Sequence, residues 1–129
     1  MSIVFPDTNV VLRYLLNDNR AQFEKILPLF EDIKKGRQKA ILLPEVLLEA
    51  FYVLTKVYDI PRYEAGEALR DLLLYKGILN KDRMVLIEAF ELFLKDKGLS
   101  LLDCFLCIKC KKMKGNLLTF DKRLKRECS

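Results

Sequence analysis

Asp7, Glu49, Asp103 and Asp121 are the residues of this sequence whose type and surroundings could do chemistry. Asp7 follows the apolar run Ile3-Val4-Phe5 and Pro6, and is followed at once by Thr8 and Asn9. Glu49 lies among Val46, Leu47, Leu48, Ala50, Phe51, Val53 and Leu54, and Asp103 among Leu101, Leu102, Cys104, Phe105 and Leu106. An acid in such company is seldom fully buried without a partner. Asp121 closes a further run, Leu117-Leu118-Thr119-Phe120. Carboxylates that meet repel one another unless a cation sits between them or some are protonated. Hard divalent ions such as Mg²⁺ and Mn²⁺ are bound by carboxylates and water, often with phosphate completing the shell. The sequence contains no histidine, which removes Ser-His-Asp and Cys-His catalysis together with the usual imidazole metal ligand. An acid cluster of this composition points to phosphate chemistry through metal-activated water. Each acid also has a structural alternative. Asp7 and Asp121 could cap the helices that follow them, and Glu45, in a first turn behind Pro44, reads as a helix-dipole residue.

The elements that must position these acids follow from apolar periodicity and its punctuation. Residues 3–5 read as a short strand running into Asp7, with Thr8 or Asn9 able to cap the next helix. Residues 17–19 break that helix, and 20–35 reopen a helical pattern through Phe23, Ile26, Leu27, Phe30 and Ile33, closed by Gly36 as a C-cap. Residues 40–43 are the second strand candidate. Pro44 ends that run and suits the first position of a largely buried helix over 44–58, which carries Glu45 and Glu49 one turn apart. Pro61 opens a helix to residue 75, and Gly77 stops it. Residues 78–80 read as a short strand or loop, 81–97 as an amphipathic helix begun by Asp82, and 101–113 as a helix capped by Ser100 with Asp103 in its first turns. Residues 116–120 read as the last strand, ending at Asp121 and followed by a basic tail over 122–126. Strand, helices, strand, helices, strand, helix is the order of a three-layer α/β/α domain with a small central parallel sheet. Ligands of such sheets gather outside the carboxyl ends of the strands, where the four acids could meet.

At 129 residues, with 51% hydrophobic and 32% charged residues, the chain suits one globular domain over 1–129 with a sizeable core. No apolar run approaches the roughly 18 residues of a membrane span, and the N-terminus lacks the layout of a secretory signal, so a cytoplasmic protein is expected. The net charge of +5 leans toward a polyanionic partner.

The motifs together resemble the PIN domain (PilT N-terminus) nucleases, and most closely the small VapC-type toxins of toxin–antitoxin pairs. Val4-Phe5-Pro6-Asp7-Thr8-Asn9 is similar to that family's first motif, an apolar strand closing on Asp-Thr-Asn or Asp-Thr-Ser. Glu49-Ala50-Phe51-Tyr52-Val53-Leu54 resembles the second, and Leu99-Ser100-Leu101-Leu102-Asp103-Cys104 the third, with Cys104 where Ala is common. Leu118-Thr119-Phe120-Asp121-Lys122-Arg123 is similar to the fourth, Thr-x-Asp with basic residues behind. The resemblance covers nearly the whole chain in order. It implies a metal-dependent endoribonuclease in which Asp7, Glu49, Asp103 and Asp121 hold one or two Mg²⁺ or Mn²⁺ ions. Thr8, Asn9 and Thr119 would orient the carboxylates or water. It also implies an RNA substrate, a homodimer and a cognate antitoxin protein. A PIN nuclease outside any toxin–antitoxin system, or a catalytically inactive nucleic-acid-binding module of the same fold, would keep much of this pattern.

Two other features have competing readings. Lys111, Lys112, Lys122 and Arg123, with their basic neighbours, are either a solvated face or a grip on RNA phosphates. Cys104, Cys107 and Cys110 have the Cys-x-x-Cys-x-x-Cys spacing that iron–sulfur and zinc sites use, with Cys128 as a possible fourth. They lie in a continuous helical pattern without a loop to wrap a cluster, which makes them a core-facing stripe, and the expected reducing compartment argues against disulfides. A haloacid-dehalogenase-like phosphatase would need a second Asp two residues after Asp7, where Asn9 stands.

Overall fold

The computed structural model describes residues 2–96 and 98–128. Its helices are α1 (Thr8–Leu16), α2 (Arg20–Lys35), α3 (Pro44–Lys56), α4 (Arg62–Leu73), α5 (Arg83–Lys95), α6 (Leu101–Lys112) and α7 (Lys122–Glu127). The chain divides into two compact units, residues 1–81 and 82–129. No described helix is long and apolar enough to cross a membrane.

In the first unit, local chemistry sets the helix ends. Asp7 is extended and its Oδ1 accepts from the Val10 N–H at 2.9 Å, so the acid itself, not Thr8 or Asn9, caps α1. Asn17 closes α1 in the left-handed region, φ 51°, which Asn tolerates better than most residues. Asn19 caps α2 through the Gln22 N–H at 3.1 Å, and Gly36 ends it at φ 84°. Pro44 takes the first position of α3, where its missing N–H costs nothing. α1 packs against α2 and α3, and α3 against α4, around Val11, Phe30, Ile33, Leu47, Leu69 and Leu73, all fully buried. The Tyr14 ring stacks on Phe30 at 4.0 Å, and its hydroxyl shares a 2.7 Å hydrogen bond with that of Tyr75. Burial first, and then that bond, raises the Tyr14 phenol well above its ordinary range.

The expected three-layer α/β/α architecture is corrected here. Among the described residues the only β pairings are isolated parallel bridges, Val4 with Ala40 and Ala40 with Ile78. The Val4 N–H donates to Lys39 O and the Ile41 N–H to Val4 O, both at 3.0 Å. The Ala40 N–H donates to Gly77 O at 2.9 Å and the Leu79 N–H to Ala40 O at 2.8 Å. The three segments run alongside one another, but no ladder grows from these pairs. Pro6 and Pro44, which bound the first two segments, have no N–H to donate. Farther along, the backbone of Leu42 is satisfied by the side chain of Asn80. The fold of this unit is helical, with apolar segments bridged at single residues.

In the second unit α5 packs on α6, and Phe90 meets Phe105 edge to face at 5.6 Å. The helix expected over 81–97 forms as α5, which starts at Arg83 and ends at Lys95, and residue 97 lies outside the described residues. Ser100 Oγ accepts from the Asp103 N–H at 3.0 Å and starts α6 as its sequence position suggests. The strand expected over 116–120 does not form. That segment makes no β pairing among the described residues, with Leu118 88% exposed and Phe120 fully exposed. The cysteine stripe is helical, with Cys104 and Cys107 buried. The expectation of no disulfide is also corrected: Cys107 is bonded to Cys128, with Cα atoms 5.5 Å apart. α7 returns the end of the chain to α6 and brings the two thiols within bonding range.

Candidate active site

Asp7 and Glu49 open onto one groove of the first unit, a cavity of about 510 Å³ lined also by Thr8, Asn9, Leu12, Val46 and Val53. The sequence produces this locally. On α3, Leu47, Ala50 and Leu54 turn into the core, so Val46, Glu49 and Val53, one helical row over, form its outer wall. On the facing side, Val11 and Leu12 are buried in α1, which fixes its first turn and hence Asp7, Thr8 and Asn9. Two carboxylates and no Lys or Arg line the groove. It is a locally negative pocket with polar side chains at its acidic end and apolar walls beside Glu49. Glu45, exposed in the first turn of α3, is not among the lining residues.

The other two candidate acids belong to the second unit. Asp103 is half-buried in the first turn of α6, its backbone N–H held by Ser100. Asp121 caps α7, its Oδ1 accepting from the Leu124 N–H at 3.0 Å, while its own N–H donates to Thr119 Oγ1 at 3.0 Å. Thr119 therefore orients Asp121 through the backbone. Of the candidate RNA-binding cations, Lys112 is paired with Glu88 at 3.0 Å and Arg123 with Asp96 at 2.7 Å. Lys111 and Lys122 are exposed and carry no ion pair among the described residues. Arg123 above all, and then the Gly98 N–H, holds the Asp96 carboxyl below its usual range.

The donor set of the groove suits a hard cation. Asp7, Glu49, Thr8 and Asn9 offer oxygen ligands, and neither imidazole nor thiolate lines the groove. Among the described residues no group of three or more His, Cys, Asp or Glu side chains is placed to hold a metal by itself. One or two carboxylates completed by water and substrate phosphate is the manner in which Mg²⁺ is usually bound. Sequence reasoning missed Leu12 and Val53 as walls of this groove, although their spacing from Asp7 and Glu49 on the two helices was open to view.

Compared with known proteins, the chain matches the PIN domain family over residues 4–128. That is nearly its whole length, and the family is one of nucleases. No curated protein and no solved structure matched it.

Proposed function

Because the chain belongs to the PIN domain family, we propose that it is a metal-dependent endoribonuclease. The observation that carries the reading is the groove that Asp7 and Glu49 share without a basic residue. Both acids are exposed on the groove, where carboxylates can hold a divalent cation whose shell is completed by water and phosphate. Asp7 and Glu49 would hold Mg²⁺ or Mn²⁺, with the Thr8 hydroxyl and the Asn9 amide orienting water and carboxylate. By their motifs Asp103 and Asp121, in the second unit, are proposed as carboxylate ligands as well, with Asp121 oriented by Thr119. When bound, the metal lowers the pKa of its water and neutralises charge on the phosphate. The chain's own part is to hold Asp7 at the start of α1 and Glu49 within α3, to keep Lys and Arg side chains out of the groove, and, in the second unit, to offer the exposed Lys111 and Lys122 to RNA phosphates.

The four motifs in their order are the ground for reading the chain as a VapC-like toxin, with a second copy of the chain and an antitoxin protein as partners. The test is cleavage of labelled RNA by the purified protein in Mg²⁺, in Mn²⁺ and in EDTA. Cleavage that needs a divalent ion supports the nuclease reading, and metal-independent cleavage overturns it. Growth arrest on expression, relieved by Glu49→Gln, supports the toxin assignment. Unimpaired growth while the nuclease is active contradicts it.

A further inference from the structure

Phe120 is displayed, not buried. Its ring is fully exposed, and Leu118, two residues earlier, is 88% exposed. The backbone beneath the ring is nevertheless tied down. Thr119 Oγ1 accepts from the Asp121 N–H, and Asp121 Oδ1 accepts from the Leu124 N–H. Leu124 is buried, and the Cys107–Cys128 disulfide anchors the far end of α7. A large aromatic ring is thus held in water on an ordered turn, between the two residues of the Thr-x-Asp motif.

The charge of the chain on either side of Phe120 says what kind of partner it suits. Between residues 109 and 126, eight lysines and arginines stand against one acid, Asp121. Lys111, Lys114, Lys122 and Lys125 are exposed and carry no ion pair among the described residues. Protein–protein interfaces are depleted in lysine, whereas surfaces for single-stranded nucleic acid combine cations that track the backbone with aromatic rings on which bases stack. We propose that Phe120 is a base-stacking residue, and that the substrate meets this surface as an unpaired RNA strand with one nucleobase lying on the Phe120 ring. This deepens the ribonuclease reading and rests on it for the identity of the strand. A base in a duplex has both faces covered by its neighbours, so stacking on Phe120 selects unpaired RNA.

The chain has no tryptophan, so Phe120→Trp introduces a unique fluorophore at the site. In EDTA, that variant is titrated with an unstructured oligoribonucleotide of about ten nucleotides, within the length one binding fold tracks. The same strand annealed to its complement is titrated in parallel. Fluorescence should be quenched to saturation by the single strand and little by the duplex. Phe120→Ala should weaken single-strand binding roughly 5- to 100-fold without changing the salt dependence or the unfolding midpoint. Lys122→Ala should instead lower the salt dependence. Equal binding by Phe120→Ala and native protein, absence of quenching, or equal affinity for duplex overturns the stacking role. If native protein still cleaves RNA with metal, only this inference falls. Protein that neither binds nor cleaves RNA overturns both.

Discussion

The side-chain amide of Asn80 pairs with both backbone polar groups of Leu42: Nδ2 donates to Leu42 O at 2.6 Å and Oδ1 accepts from the Leu42 N–H at 2.9 Å. Both residues are buried. A side chain here does what a neighbouring strand would do, two residues past the bridge between Ala40 and Ile78. Asn80→Leu keeps the branched outline of the side chain and leaves a buried donor and acceptor unpaired. It should cost roughly 2–3 kcal/mol of stability, read as a lower urea midpoint. A loss under about 0.5 kcal/mol, ordinary for a surface change, would show that the pair is not a structural tie.

Asp96 accepts from Arg123 at 2.7 Å and from the Gly98 N–H at 2.9 Å. Its carboxyl is held below the ordinary value of 3.8, chiefly by Arg123. A carboxyl lowered by folding stabilises the fold fully above its unfolded value and loses that contribution as pH falls through the folded one. Acid sensitivity from this pair should therefore begin near pH 3.8 and develop below it. Arg123→Met should return the Asp96 midpoint toward its ordinary value in a carbon-detected NMR titration. A midpoint in native protein at or above the ordinary value would contradict the contact.

The Cys107–Cys128 bond closes a loop with a sequence separation of 21. A cross-link of that span is worth about 3 kcal/mol through the unfolded chain. Cys128→Ser should lower stability by an amount of that order, and dithiothreitol should lower native protein to the same level while leaving the variant unchanged. Equal midpoints for native and Cys128→Ser under non-reducing conditions would rule the cross-link out.

Much of the helical frame was legible because its punctuation is written in the chain. α2 begins after Asn19 and ends at Gly36, both capping residues, and its bounds could be read directly. Ser100 and Asp121 likewise mark the starts of α6 and α7. The sheet was misread for a physical reason. Short apolar runs such as 3–5 and 40–43 read as buried strands, yet Ile3, Phe5 and Leu43 are exposed and pairing is confined to single residues, so apolar character alone did not report a ladder. Neither the Asn80 side chain taking up the Leu42 backbone nor the failure of residues 116–120 to pair is visible in composition. The disulfide escaped because it depends on where α7 leads Cys128, and the compartment argument pointed the other way. For the candidate site, the helix position of each acid was open to reading. The cap formed by Asp7 was weighed against a chemical role, yet one carboxylate can do both, since a cap uses one oxygen.

That double use sets how the acids should be tested. Asp7 and Asp121 each cap a helix through Oδ1. Asp121→Ala should destabilise the second unit by about 1 kcal/mol, whereas Asp121→Asn, an equally good cap, should not. If both variants unfold alike, Asp121 is not a working cap.

The most direct measurement is RNA cleavage in Mn²⁺ by native protein and by Asp7→Asn, purified identically, with unfolding midpoints taken on the same samples. Asn retains an oxygen for the Val10 N–H and removes the negative charge from the groove. The account predicts an unchanged midpoint and cleavage reduced by at least about 100-fold, the scale on which removal of a catalytic group is felt. Full activity in a folded Asp7→Asn protein would contradict the assignment of the groove as the nuclease centre.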